Sequence, residues 1–188
     1  MKTALGCGSR RRSLGILLVL AWFAGRAYGQ HIPRGWRQFV SVKGGYIAYF
    51  PKSWHLLEPG LPTLDIANFP PSRMVRAVVV PDGGATISIV PPPQGVTTIE
   101  QWVGRDSRVT RVQSRRSITL QVPDSTEPLG IEEVIYLSTE GPDTVSWYFG
   151  ISGRLLVANL SYWFGDPNAT KFREVLREVV QTVRPLER

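Results

Sequence analysis

Residues 145–162 read VSWYFGISGRLLVANLSY, two runs in which every second side chain is apolar. In a β-strand, alternate side chains point to opposite faces of the sheet. One face of the first run is apolar at Val145, Trp147, Phe149 and Ile151, and one face of the second at Leu156, Ala158, Leu160 and Tyr162. Ser152-Gly153 between them is typical of a two-residue turn. The stretch predicts a β-hairpin whose register is firmly set, because a one-residue slip would expose the apolar face.

Strand signals dominate the chain on the N-terminal side of this hairpin. Runs rich in β-branched and aromatic residues occur at 39–42, 46–50, 64–68, 75–80, 85–90, 117–122 and 131–137. Gly44-Gly45 allows the positive φ of a tight connection and predicts a first hairpin between 39–42 and 46–50. Pro81-Asp82-Gly83-Gly84 is a turn sequence and predicts a second hairpin between 75–80 and 85–90.

Two helices are predicted. Thr97 precedes Glu100 by three residues and Thr98 precedes Gln101 by three, which gives two overlapping capping boxes and predicts a helix from Thr98 to about Ser107. Asp166-Pro167 predicts a cap and a first-turn proline for the second helix. Its apolar stripe is Phe172, Val175, Leu176, Val179, Val180 and Val183. The order of elements predicts an α+β domain on a mainly antiparallel sheet.

An export signal is predicted at residues 1–29. Basic residues at positions 2 and 10–12 precede the apolar run Leu14–Ala24, which is too short to span a bilayer, and Ala27-Tyr28-Gly29 resembles a cleavage site. We expect cleavage between Gly29 and Gln30 and an extracytoplasmic mature chain, periplasmic or secreted. Cleavage after Tyr28 would instead place His31 third in the chain, where it could bind copper(II) or nickel(II). Cys7, the single cysteine, leaves with the signal, so no disulfide is expected.

The charge of the chain argues against nucleic-acid binding. Residues 1–29 carry five basic residues and no acidic ones, so their removal lowers the net charge from +7 to +2. A basic run remains at Arg105, Arg108, Arg111, Arg115 and Arg116. We interpret it as a solvated helix face and the loop after it, in preference to a phosphate-binding track.

The sequence contains no catalytic motif that we recognise. Histidine occurs only at positions 31 and 55, and no nucleophile elbow, metal-binding helix or phosphate loop is present. Glu132 and Glu133 are adjacent on a predicted strand, so their carboxylates point to opposite faces and cannot converge on one bond. We expect one of them on the solvated face and the other at an edge. We expect no enzyme activity, no cofactor and no metal.

The order of several motifs resembles the PsbP-like family, named for an extrinsic subunit of photosystem II. The first motif is Tyr49-Phe50-Pro51-Lys52-Ser53-Trp54. It is followed by a capped helix carrying Trp102, the hairpin from Tyr148-Phe149 to Gly153-Arg154, the strand with Tyr162, Asp166-Pro167 and Val183-Arg184. The resemblance implies a sheet sandwiched between helices and a role in assembly or docking. Together with the predicted signal at 1–29, the resemblance leaves an extension with the first strand at 30–44 and a PsbP-like domain at 45–188.

Aromatic residues supply the remaining functional clue. Most tryptophans of so small a domain are expected in the core, but some could anchor a partner. The residues we predict to contact a partner or ligand are Trp54, His55, Trp36 and Arg105. We therefore expect a secreted, non-enzymatic binding or assembly module that docks a protein partner in the cell envelope, without a membrane span. The alternative is a small-ligand or lipid carrier with an apolar cavity between sheet and helix.

Overall fold

The computed structural model describes residues 33–58, 61–71, 80–107, 111–123, 125–139 and 141–187. Four of the sequence predictions fall wholly or partly outside these residues. They are the export signal with its cleavage site, the metal site at His31, the position of Arg108 and the strand at 75–80 apart from Val80.

The described residues form ten strands and two helices. The strands are β1 (Trp36–Ser41), β2 (Tyr46–Pro51), β3 (His55–Leu56), β4 (Leu64–Ala67), β5 (Ala85–Val90), β6 (Arg111–Leu120), β7 (Leu129–Leu137), β8 (Asp143–Ile151), β9 (Arg154–Tyr162) and β10 (Arg184–Pro185). The helices are α1 (Ile99–Asp106) and α2 (Ala169–Gln181). Neither helix has the length and hydropathy of a membrane span.

The strands form two antiparallel sheets. The large sheet has the order β3-β4-β5-β9-β8-β7-β6, and the small sheet has the order β1-β2-β10. The hairpin β8–β9 lies at the centre of the large sheet, with Val145 opposite Leu160 and Phe149 opposite Leu156. Ser152 and Gly153 both have positive φ, +47° and +75°, as a two-residue turn between twisted strands requires. The predicted central hairpin is therefore confirmed.

Helices and the small sheet cover both faces of the large sheet. On one face, α2 and the inner side of the small sheet enclose the main core, which includes Phe50, Phe149, Leu160 and Leu176. On the other face, Trp102 and Val103 of α1 pack against a second cluster that contains Val134, Tyr136, Tyr148 and Val157. The predicted α+β fold with a sheet between helices is confirmed.

The helix boundaries agree with the sequence prediction at α1 and differ at α2. Thr98 caps α1 through its side chain, which accepts a hydrogen bond from the Gln101 amide at 3.2 Å. Asp166 does not cap α2, which begins at Ala169 after Asn168. Instead the Asp166 carboxylate accepts a hydrogen bond from the Asn168 amide at 2.7 Å, so it stabilises the turn that precedes the helix. The apolar stripe of α2 is buried as predicted, except that Val175 is half-buried.

Two predictions about strands are corrected. β5 is flanked by β4 on one side and β9 on the other, so neither side is left for the hairpin predicted with 75–80. β6 begins at Arg111, several residues before the predicted start, and Arg111, Arg115 and Arg116 lie on it. These three arginines therefore belong to the edge strand of the large sheet, and only Arg105 of the basic run lies on a described helix.

Candidate docking site

The turn between β1 and β2 is held in one conformation by Ser41. The Ser41 side chain is buried, and its Oγ accepts a hydrogen bond from the Gly44 amide at 2.9 Å. The same Oγ donates a short hydrogen bond to the Pro62 carbonyl, which ties the turn to the loop before β4. A Cβ at Gly44 would overlap Ser41 Oγ, and Gly45 has a φ of +69°, so both glycines are required by this turn.

The hairpin β1–β2 is also anchored to the rest of the molecule. Tyr46 is 1% exposed, and its hydroxyl donates to the Ile89 carbonyl at 2.8 Å and accepts from the Leu64 amide at 2.9 Å. Burial raises the pKa of Tyr46, so this hydroxyl stays protonated and remains a donor. At the other end of β2, the Tyr49 amide donates to Thr182 Oγ1 at 2.9 Å, immediately after α2. The hairpin is a firmly supported platform.

Exposed apolar side chains gather at the tip of this hairpin. Among the described residues, four large apolar side chains are exposed: Val40 (45%), Val42 (77%), Leu61 (44%) and Phe164 (81%). The first three are each one residue away from Ser41 or Pro62, whose hydrogen bond brings the two loops together. We call Val40, Val42 and Leu61 the Val42 patch. Exposed apolar residues that are grouped on neighbouring loops mark interaction sites more often than scattered ones do.

The hairpin is basic as well as apolar. Residues 33–52 contain four basic residues and no acidic residue, and all four basic side chains are exposed: Arg34, Arg37, Lys43 and Lys52. The ion pairs within the described structure involve other residues. Lys43, next to Val42, makes no ion pair with a described carboxylate, so the patch has a positive charge at its border.

The four residues predicted to contact a partner lie in different environments. Trp36 is half-buried on β1, opposite Pro51 at the end of β2, and the chain from Pro51 leads directly to Trp54 and His55. Trp54 belongs to the main core with 6% exposure, whereas His55 is exposed on β3 at an edge of the large sheet. Arg105 is exposed on α1, across the large sheet from Trp54, beside a shallow depression lined by Gly95, Gln101 and Gly104. These placements bring three of the residues to one end of β2 and leave Arg105 apart.

A buried carboxylate that the sequence did not reveal lies on β7. Glu133 is 2% exposed and accepts hydrogen bonds from Arg116 Nε at 2.7 Å, Trp147 Nε1 at 2.8 Å and Arg173 Nη1 at 3.3 Å. Its neighbour Glu132 pairs with Arg115 Nε at 2.5 Å on the opposite face. The prediction of opposite faces is confirmed. The prediction that the second carboxylate lies at an edge is wrong, because β7 is an interior strand between β8 and β6.

Three hydrogen-bonded ionisable groups link α1 to the sheet. The Tyr136 and Tyr148 hydroxyls are 2.8 Å apart, and Tyr148 donates to Asp106 Oδ2 at 2.7 Å. Burial is the largest cause that raises the pKa of both tyrosines, so both hydroxyls are protonated at neutral pH. Tyr148 is completely buried and Tyr136 is 4% exposed, which leaves no access for a substrate to either hydroxyl. The cluster has the character of a structural bridge.

Metal ligands are not grouped in the described part of the chain. No set of three or more His, Cys, Asp or Glu side chains there could hold a metal ion. The buried side-chain nitrogen and oxygen atoms of the same residues all have hydrogen-bond partners.

Comparisons with known proteins give low similarity. No protein-family model and no curated protein matches the chain. Similar solved structures include a Bacteroides thetaiotaomicron protein, with 15% identity, a TM-score of 0.46 and coverage of 81% of this chain and 49% of that one. Cyanobacterial PsbP from Synechocystis sp. PCC 6803 is also similar, with 13% identity, a TM-score of 0.43 and coverage of 82% of this chain and 95% of that one. A Pseudomonas aeruginosa protein of unknown function has 12% identity, a TM-score of 0.38 and coverage of 76% of this chain and 94% of that one. The chain spans about half the length of the Bacteroides protein. The family that the sequence resembles is represented among these structures by cyanobacterial PsbP.

Proposed function

We propose that the protein is an exported, non-enzymatic module that docks a protein partner in the cell envelope through the Val42 patch. The observation that carries the proposal is that the hydrogen bond between Ser41 and Pro62 holds the tip of the hairpin, with Val40 and Val42, against the loop that carries Leu61. A preformed apolar surface loses little conformational entropy on binding, which favours specific association with another protein.

Two features support docking over catalysis. The buried carboxylate of Glu133 is already engaged by two arginines and a tryptophan. The tyrosine hydroxyls near α1 are protonated and enclosed, so they are poor candidates for a base or a nucleophile.

The packing of the main core favours docking over ligand carriage. A carrier of this fold would need an apolar cavity between the large sheet and α2. Phe149, Leu160 and Leu176 fill that space with no exposed surface. The experiment below includes a result that would favour the carrier role.

Site-specific cross-linking in the native host tests the proposal. A photoreactive phenylalanine analogue at Val42 or Leu61 is expected to capture the same protein, because both side chains belong to the patch. The matched control places the analogue at Gln113, an exposed residue of the edge strand β6 in the other sheet. Loss of the adduct on a second change, Val40→Asp, would tie the capture to the patch.

The result that contradicts docking is equally specific. The patch would be excluded as a docking site if Val42 and Gln113 gave the same adducts. It would also be excluded if neither Val42 nor Leu61 gave an adduct in the correctly exported chain. Lipid recovered with the purified chain in place of a protein adduct would favour the carrier.

A further inference from the structure

The open side of β1 presents backbone groups that a further strand could use. The Lys52 amide donates to the Gly35 carbonyl at 2.8 Å, so these two opposite residues form a hydrogen-bonded pair of the β1–β2 ladder. This pair determines which residues of β1 bond to β2 and which point away from it. Because hydrogen-bonded and non-bonded positions alternate in antiparallel strands, Arg37, Phe39 and Ser41 exchange bonds with β2. The amide groups of Gln38 and Val40 therefore point to the other side. No described strand pairs with that side of β1.

Side chains along β1 alternate in chemistry. Trp36, Gln38 and Val40 share one face of β1, where Val40 is exposed and Trp36 is half-buried against the main core. Arg37 lies on the opposite face with the buried Phe39 and Ser41, and of these three it alone is exposed. A strand that paired with β1 would place alternate side chains beside Val40 and beside Arg37. The first set would meet the exposed Val40, and the second would meet the positive charge of Arg37.

Charge distinguishes between the possible occupants of this edge. A second copy of the chain, paired through its own β1, would bring together two hairpins that each carry Arg37 and Lys43 and no acidic residue. Like charges at such short distances oppose association. An acidic strand would instead neutralise Arg37 and Lys43, both of which are free of ion pairs with described residues.

From this geometry we infer that the partner docks by adding a strand to β1, and that this strand alternates apolar and acidic residues. The inference rests on the proposed docking function and specifies its partner. The partner's backbone bonds to Gln38 and Val40, its apolar residues extend the Val42 patch, and its carboxylates pair with Arg37 and Lys43. Strand addition of this kind takes affinity from the backbone and specificity from alternate side chains.

A synthetic peptide tests the inference directly. The probe is a fluorescently labelled hexapeptide of alternating valine and glutamate, and its binding to the purified chain is followed by anisotropy at low and high salt. We expect binding that weakens as salt rises, and about tenfold weaker binding of the peptide with lysine in place of glutamate.

Two further comparisons separate strand addition from simple charge attraction. Two versions of the glutamate peptide are made, one methylated on the backbone nitrogens of its valines and the other on those of its glutamates. Only the version with methyl groups facing away from β1 is expected to bind, because the other version blocks the bonding amides. In the protein, the double change Arg37→Glu and Lys43→Glu is expected to weaken binding about tenfold. The double change Lys171→Glu and Arg177→Glu on the exposed face of α2 is the charge-matched control.

The outcomes are distinct. Equal binding of the glutamate and lysine peptides, or of both methylated peptides, would overturn the inference. Failure of the glutamate peptide to bind, combined with a specific adduct from Val42 in cells, would refute the proposed partner chemistry and leave the docking function standing. Peptide binding without any adduct in cells would refute the docking function instead. Unchanged melting temperatures would confirm that the charge variants fold.

Discussion

Glu133 is the most deeply buried charged side chain among the described residues. Desolvation of a carboxylate costs several kcal/mol unless charge and hydrogen bonds compensate. Arg116 and Arg173 supply the charge, with 64% and 29% of their side chains exposed, and Trp147 supplies a buried N–H. The two arginines come from β6 and α2, so this carboxylate connects the edge of the large sheet to the helix that covers it.

Replacement of Glu133 should be severely destabilising. Glu133→Ala removes the acceptor of three donors, and the Trp147 N–H cannot reach water. We expect the free energy of unfolding to fall by about 3–5 kcal/mol, measured by urea denaturation with tryptophan fluorescence. The control is Glu132→Ala, which removes a pair with the 42% exposed Arg115 and should cost about 1 kcal/mol or less. Similar losses for the two variants would refute the role of Glu133.

Asp65 makes stability depend on pH. Burial raises the pKa of this half-buried carboxyl from 3.8 to about 6, and the charge of Glu58 adds to the shift. Between about pH 4 and pH 6 the native chain therefore keeps a proton that the unfolded chain has released. Since the native state then binds more protons, the free energy of unfolding decreases as pH rises through this window.

Asp65→Asn removes this dependence. At neutral pH the variant should be more stable than the parent chain by on the order of 1 kcal/mol, because solvent screening reduces the full effect of a shift of this size. Below about pH 4 the two proteins should have equal stability, since the parent Asp65 is then protonated in both states. Urea denaturation across this pH range measures the difference. A difference in stability between the two proteins that does not change with pH would contradict the raised pKa of Asp65.

α1 is attached to the large sheet by side chains from its last turn and from β8. The Tyr148 hydroxyl bonds to both Tyr136 and Asp106, and the Trp102 ring meets the Tyr148 ring edge-on at 5.6 Å. The helix has only eight residues, which is too short for independent stability. Its formation therefore depends on this attachment.

Tyr148→Phe tests the attachment while preserving the ring contact. Loss of the hydroxyl leaves buried polar groups with one partner fewer and should cost about 1–3 kcal/mol. Hydrogen exchange is expected to accelerate in α1 more than in α2, because only α1 loses a contact. Tyr162→Phe is the control, since its hydroxyl has only a long contact of 3.5 Å with Arg173 Nε. Unchanged protection of α1 would contradict the bridging role.

Elements with strong local signals were predictable from the sequence. The hairpins β1–β2 and β8–β9 and the start of α1 each depend on residues a few positions apart, so turn residues, alternation and caps determine them. β3 and β10 contain two residues each and exist only through their pairing with β4 and β2. The partner of β5 was mispredicted because the choice among strands is made by tertiary packing, which a local turn signal does not report.

The candidate site was predictable only in part. The grouping of Val42 with Leu61 depends on the contact between Ser41 and Pro62, which are 21 residues apart in the chain. Burial of Glu133 likewise depends on Arg116 and Arg173, 17 and 40 residues away. One feature of this region could be recognised from the sequence alone: residues 33–52 contain four basic residues and no acidic residue. The net charge of the chain as a whole does not reveal this local asymmetry.

Across the whole molecule, α2 holds the two sheets together. Its residues Phe172, Leu176 and Val180 belong to the same core as Phe50 of the small sheet and Phe149 of the large sheet. The chain leaving α2 then forms β10 against β2, and Thr182 bonds to the Tyr49 backbone. The hairpin β1–β2 and α2 are thereby connected directly to each other.

Substitution of Leu176 tests whether the two sheets unfold together, because this side chain of α2 is completely buried in the main core. Leu176→Ala should lower the free energy of unfolding by about 2–5 kcal/mol, and Leu176→Asp should prevent folding, since an unpaired carboxylate cannot enter the core. In the alanine variant, tryptophan fluorescence and far-ultraviolet circular dichroism should report a single coincident transition, because Trp54 and Trp147 lie in the main core and Trp102 lies across the large sheet. Glu178→Ala on the exposed face of α2 is the control and should change stability by less than about 0.5 kcal/mol. Separate transitions in the Leu176→Ala variant would mean that the small sheet can detach from a folded large sheet.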